Sequence, residues 1–228
     1  MPARSTNFRQ CIREDCRFRY PAPANLTAHP CPRCGSPTQV ASGPQESLEW
    51  NPRDIHPSGP VVEALLDNIR SSYNVGSMFR SADGAGIQRL HLAGTTPTPE
   101  HPGVAKTALG AEFAVPWSHS PNGVDAAARL KEKGFQLWAL EVGPQSIPLF
   151  ESLPAAGDPP IVLVVGNEVS GIDPGILARC DRFLWIPMQG YKRSLNVASA
   201  FGIAAYFLTY GDLIQTALAP HSNRPPAS

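Results

Sequence analysis

The chain has 228 residues, 42% of them hydrophobic, with 19 basic and 19 acidic side chains. That is enough for one domain of ordinary size plus a small module, and too apolar for wholesale disorder. The zero formal charge hides an uneven distribution. Residues 1–40 hold six arginines against Glu14 and Asp15, a formal +4, while residues 60–215 hold 11 basic and 14 acidic side chains. The opening MPARSTNFRQ has no apolar h-region, which argues against a secretory signal. The longest apolar stretch, Leu195–Leu208, is broken by Asn196 and Ser199 and falls short of the roughly 20 residues of a membrane span. The expectation is a cytoplasmic protein with no membrane partner.

Four cysteines come first. Cys11 and Cys16 form C-x4-C, and Cys31 and Cys34 form C-x2-C in the string CPRCG. Two such turns can present four thiolates tetrahedrally to one structural Zn2+, and Gly35 permits the tight turn after the last of them. Two disulfides are the alternative, but they suit an oxidising compartment that nothing in this chain suggests. A segment of this size buries too little apolar surface to fold alone, so the metal would supply its folding energy. Residues 1–40 are therefore read as a zinc ribbon; His29 could substitute as a ligand, but as an extra polar loop residue it is read as a bystander. Residues 41–59, rich in Gly, Pro and Ser, read as a linker.

From residue 60 the pattern alternates. Val61–Leu66, Leu90–Ala93, Phe135–Leu140, Ile161–Val165 and Phe183–Ile186 have the length and content of buried strands. Between them Val75, Met78, Phe79 and Ala82 form a helical stripe, Val124–Lys133 a second helix and Leu195–Leu213 a third. Near-continuous apolar strands alternating with helices predict an α/β domain over residues 60–215, its parallel sheet flanked by helices on both faces. Cys180 reads as a buried packing thiol. Residues 216–228 read as a disordered tail.

No G-x-G-x-x-G follows the first strand, and no G-x-x-x-x-G-K-[ST] occurs anywhere, so dinucleotide and P-loop sites have little support. Instead, three polar loops follow predicted strands, where ligands of such sheets bind. The first carries Asn74, Gly76, Arg80 and Ala82 (N-x-G-x-x-x-R-x-A) and the second Val164, Gly166, Glu168 and Gly171 (V-x-G-x-E-x-x-G). The third is IPMQGYKRSLNVA, residues 186–198. In order, these resemble the three motifs of the SpoU-type (TrmH-like) RNA ribose 2'-O-methyltransferases of the SPOUT superfamily.

The resemblance covers about residues 60–213 and leaves out the cysteine module. It implies a C-terminal trefoil knot, S-adenosylmethionine bound within it, and a homodimer with active sites at the interface. It maps cofactor contacts to Leu140, Gly166, Ile186 and Leu195. It implies a catalytic role for Arg80, supported by Asn74, Glu168, Ser194 and Asn196. A guanidinium stays protonated in proteins, so Arg80 is read as a clamp on the substrate phosphate and a stabiliser of the developing alkoxide. Glu168 could instead be a helix-start acid, and Ser194 and Asn196 could simply cap the last helix. Tyr191, Lys192 and Arg193 fill variable positions and are given no catalytic role. Lys106 is placed at the RNA or in solvent. The implied substrate is RNA, either tRNA or rRNA, and not DNA. The rival function is a non-catalytic RNA- or ribosome-binding protein that keeps the fold. A zinc hydrolase is disfavoured, because a four-thiolate site has no open coordination position.

Overall fold

The computed structural model describes residues 6–26, 28–43, 59–155 and 157–218, with side chains up to 213. The chain divides into two compact units, Met1–Ile55 and His56–Ser228.

The first unit is a three-stranded antiparallel sheet of β1 (Thr6–Cys11), β2 (Arg19–Pro23) and β3 (Thr38–Ser42), in the order β2-β1-β3. One of its arginines is structural. Arg9 is 5% exposed and donates to Thr38 Oγ1 at 2.9 Å and to the carbonyls of Leu26 and Thr38, each at 3.0 Å. These bonds tie β1 to β3 and to the turn after β2. Strand β3 runs to Ser42, into the expected linker, and residues 44–58 of that linker lie outside the described residues.

In the second unit the strands are β4 (Val62–Asp67), β5 (Leu90–Ala93), β6 (Trp117–Ser120), β7 (Gln136–Leu140), β8 (Ile147–Pro148), β9 (Ile161–Val165) and β10 (Arg182–Trp185). They form one sheet in the order β6-β5-β4-β9-β7-β10-β8, with every neighbouring pair parallel. Central β9, IVLVV, is buried at all five positions, as a strand covered on both faces must be.

Alternate side chains enter two separate cores. Ala64, Leu66, Leu90, Leu92, Leu163 and Val165 pack under α1 (Ser72–Ala85) and α6 (Val197–Leu218). Leu65, Leu137, Ala139, Val162 and Val164 pack under α4 (Gly123–Glu132) and α5 (Pro174–Leu177). The α1 stripe is buried as its spacing predicts, through Val75, Met78, Phe79 and Ala82. Half-buried Cys180 packs on the second core and donates to the Ile176 carbonyl.

Strands β6 and β8 were not foreseen, nor were α2 (Pro102–Ala108), α3 (Ala111–Ala114) and α5. The two strands lie at the sheet edges, where WSHS and a two-residue IP carry no apolar run. The helices span too few turns to show a stripe.

The last helix begins two residues later than expected, because Asn196 caps it. Its Oδ1 accepts from the N–H groups of Ala198 at 2.9 Å and Ser199 at 3.3 Å. It also runs on to Leu218, past the expected start of the tail, and residues 219–228 lie outside the described residues. From β10, beyond β7, the chain returns through 186–196 to α6, which packs on α1, β4, β7 and β9. That return is where the resemblance puts the knot. Helix α6 buries Phe201, Ala204, Ala205 and Leu208 and leaves Ile203, Tyr206 and Leu213 exposed. Among the described residues, no helix is long and apolar enough to cross a membrane.

Candidate functional site

Strands β7, β9 and β10 end side by side, and the loops leaving them enclose a cleft of about 470 Å3. Ligand pockets typically span about 300–1,000 Å3. Leu140 closes β7, Gly166 follows β9, and Ile186 and Leu195 bracket the loop that leads from β10 to α6; all four line this cleft. Glu168, Ser194 and Asn196 line it too. Asn74 and Arg80, on α1, do not.

Asn74 is nevertheless wired to the cleft. Its Nδ2 donates to Glu168 Oε1 at 2.9 Å, and its Oδ1 accepts from Asn196 Nδ2 at 3.1 Å. Glu168 also accepts from the backbone N–H of Arg70 at 2.9 Å and of Ser71 at 3.2 Å. One carboxylate and two amides thus join the loop after β4, the loop after β9 and the start of α6. Burial raises the Glu168 pKa, but the N–H of Arg70, its own backbone N–H, Asn74 and Ser71 outweigh burial, so the carboxyl sits below its ordinary value. Glu168 does not stand in the first turn of a helix. It instead holds the approach to α1, whose N-cap Ser71 accepts from Asn74 N–H at 3.3 Å.

Arg80 stands apart. It is exposed on α1, and among the described residues it has no hydrogen bond or ion pair, so neither Asn74 nor Glu168 orients it within this chain. It lies one turn before Gly84, where a Cβ would run into the Tyr206 hydroxyl of α6.

The motif glycines answer to packing. A Cβ on Gly166 would meet the carbonyl carbon of Gly171 and the nitrogen of Ile172, each at 2.4 Å. Real side chains do not tolerate such contacts, so this glycine lets the 166–172 loop close on itself. Closure is fastened by paired backbone bonds between Asn167 and Gly171, each 3.0 Å. On Gly76 a Cβ would strike Thr107 Oγ1 and the Val104 carbonyl, so this glycine sets the close approach of α1 to α2.

Sequence reasoning missed three residues. Asn167 donates to the Asn68 carbonyl at 2.7 Å and accepts from Val169 N–H and Ser170 N–H, which locks the loop after β9 to that after β4. Glu141 and Arg193 both line the cleft. Arg193 fills a variable motif position and Glu141 follows a strand end, so neither carries a spacing signal. Lys106 lies 5.8 Å from the centre of the Tyr73 ring, outside the cleft.

In the first unit the four cysteines are all free of disulfides. Cys11 and Cys34 Sγ lie 3.6 Å apart, Cys16 and Cys31 Sγ 3.8 Å apart, and all four sulfurs lie within 4.8 Å of one another. A tetrahedral zinc with Zn–S bonds of about 2.3 Å separates its sulfurs by about 3.8 Å, so the set fits one zinc ion. The knuckles turn through Arg17 and Gly35, at φ +45° and +73°, and the Gly35 N–H donates to the Cys31 carbonyl at 2.8 Å. His29 is turned away, with its Nδ1 2.7 Å from the Tyr20 hydroxyl.

A parallel sheet with its cleft walled by a loop that returns into the C-terminal helix is the arrangement that the resemblance to the SpoU-type methyltransferases implies. The chain belongs to the SpoU rRNA Methylase family, which it matches over residues 62–206. It is 34% identical over 150 residues to the 23S rRNA (guanosine(2553)-2'-O)-methyltransferase RlmP of Bacillus subtilis, covering 63% of this chain and 56% of that protein. To the tRNA (guanosine(18)-2'-O)-methyltransferase of Aquifex aeolicus it is 31% identical, covering 71% of this chain and 72% of that one. An AdoMet-bound rRNA methyltransferase from Sinorhizobium meliloti superposes with a TM-score of 0.62 at 29% identity, covering 75% of this chain and 63% of that one. The chain spans little more than half the length of the first of these relatives.

Proposed function

We propose that the protein transfers a methyl group from S-adenosylmethionine to a ribose 2'-hydroxyl of structured tRNA or rRNA in the cytoplasm. The observation that carries this reading is that the second and third motif loops wall one cleft and the first is tied to both through the chain Asn196–Asn74–Glu168. Two of its relatives are named as 2'-O-methyltransferases, one of 23S rRNA and one of tRNA.

S-adenosylmethionine supplies a methyl group already activated by its sulfonium. What remains is to align the hydroxyl, exclude water and handle one proton. Alignment alone is worth up to roughly 7–11 kcal/mol of the barrier. Leu140, Ile186 and Leu195 form an apolar wall that holds the cofactor and keeps water out. Asn74, Glu168 and Asn196 hold the loops in register, and Ser194 stands beside Leu195 on the same wall. Arg80 binds the substrate phosphate and stabilises the oxyanion that develops at the 2' position.

On α1, the helix that carries Arg80, Ser81 and Gly84 lie against Gly202 and Tyr206 of α6, and α6 exposes an apolar stripe of Ile203, Tyr206 and Leu213. A homodimer that covers this stripe closes the active site at the interface and gives Arg80 the surroundings it lacks in one chain. Cys11, Cys16, Cys31 and Cys34 hold one structural zinc, whose binding energy folds the first unit.

The test is incubation of the purified protein with methyl-labelled S-adenosylmethionine and RNA from a strain lacking it, followed by mapping of ribose methylation. Label at one ribose supports the reading. RNA binding without any transfer overturns it in favour of a non-catalytic RNA- or ribosome-binding protein.

A further inference from the structure

The three-stranded sheet of the first unit has two unlike faces. One buries Arg9, Cys11 and Ala22, each 5% exposed or less, and exposes Val40 opposite Arg9 at its edge. The other is open. Cross-strand register places Phe8 opposite Pro21 and Ser42, and Gln10 opposite Arg19 and Gln39, so these six side chains share it. Phe8, at its centre, keeps 43% of its surface in water. Arg19 reaches from β2 across β1, with its guanidinium carbon 6.0 Å from the Phe8 ring centre and Nη2 donating to Ser42 Oγ at 3.0 Å.

On this face one exposed ring, with a guanidinium carbon 6.0 Å from its centre and two amides beside it, falls short of the wide apolar centre of a protein-docking patch. It has the components of a base-stacking platform. An aromatic ring takes a nucleobase, Arg supplies a stacking plane and phosphate contact, and Gln reads base edges. Charge agrees. Residues 1–40 carry six arginines against two acids, a formal +4, and four thiolates with one zinc dication leave about +2. Arg9 is spent on the fold and Arg13 pairs with Asp15 at 2.6 Å, whereas Arg17, Arg19 and Arg33 are exposed.

We infer that this open face binds unpaired nucleotides of the RNA substrate, with a base stacked on Phe8 and Arg19 engaging the adjoining phosphate. The inference rests on RNA being the substrate, as proposed above.

The test uses the full-length protein with its metal content verified, and a fluorescein-labelled single-stranded RNA 12-mer titrated at several salt concentrations. Phe8→Leu keeps apolar bulk under Arg19 but removes the ring. It should weaken binding roughly 10-fold with an unchanged salt slope, because stacking releases no counterions. Phe8→Trp should bind as well as the wild type. Arg19→Ala should weaken binding and make the salt slope shallower by about one unit. Wild-type affinity in Phe8→Leu, with metal content intact, overturns the inference, as does failure of the wild type to bind the 12-mer. Ribose methylation assayed in parallel separates the two readings. If labelled ribose forms while Phe8→Leu binds normally, only the platform is refuted, whereas absence of transfer refutes the enzymatic reading.

Discussion

Gly166→Ala distinguishes two reasons for a glycine at the wall of the cleft. If the missing Cβ makes room for the cofactor, alanine costs affinity and leaves the free protein untouched. The geometry argues otherwise. The new methyl would lie 2.4 Å from Gly171 C and Ile172 N and 2.5 Å from Gly171 O. All three are backbone atoms of a loop pinned by the Asn167–Gly171 pair, so no side chain can swing aside. Forcing a methylene into a filled site costs about 1–3 kcal/mol, and opening the pair removes hydrogen bonds worth about 1 kcal/mol each. A total of about 3–5 kcal/mol lowers the melting temperature by about 6–20 °C for a domain of this size. Thermal denaturation followed by circular dichroism, without cofactor, reads this directly. Calorimetric titration with S-adenosylmethionine should also show weaker binding, because the displaced loop carries Glu168. An unchanged melting temperature alongside lost affinity would refute the packing argument and restore the ligand-approach one.

Arg80→Ala should leave S-adenosylmethionine affinity within a few-fold while methyl transfer falls roughly 10²-fold or more; near-normal turnover would remove Arg80 from the mechanism. Light scattering at micromolar concentration should give twice the 24.5 kDa chain mass, and Ile203→Glu on the exposed stripe should shift it toward the monomer. Metal analysis should find about one zinc per chain, lost when Cys31 and Cys34 are both replaced by serine, with the melting of the second unit retained. Glu168 has a depressed folded-state pKa, so its contribution is fully present above the unfolded value of about 4.3 and drains as pH falls through the lower folded one. Urea midpoints of wild type and Glu168→Gln should therefore differ at pH 7 and converge in acid; a constant gap would mean the carboxylate charge is not what holds the loops.

What the sequence shows clearly is whatever a side chain's own character decides. Strand β9 announces itself because both its faces are buried and all five positions are apolar, and β4, β5, β7 and β10 because most of their positions are apolar. At the edges this constraint lapses, which is why WSHS gives no hint of β6. The cysteine spacing likewise carries its own geometry, since four thiolates in two short turns have few other uses. Pairwise relations are a different matter. Asn74 meets Glu168 across 94 residues and Asn196 across 122, and nothing in the spacing of one motif says which atom of another it will touch. The glycines show the same limit from the other side. A missing Cβ is visible in the sequence, but the neighbour it would have struck is not, and at Gly166 that neighbour is the loop rather than the ligand. Arg80 extends the argument beyond a single chain. The resemblance implies a catalytic role for it, yet in one copy it stands exposed and, among the described residues, unpartnered, on a helix that packs against α6. If Arg80 acts on a substrate phosphate as proposed, it needs a wall to hold it, and a second copy seated on the exposed residues of α6 would supply one.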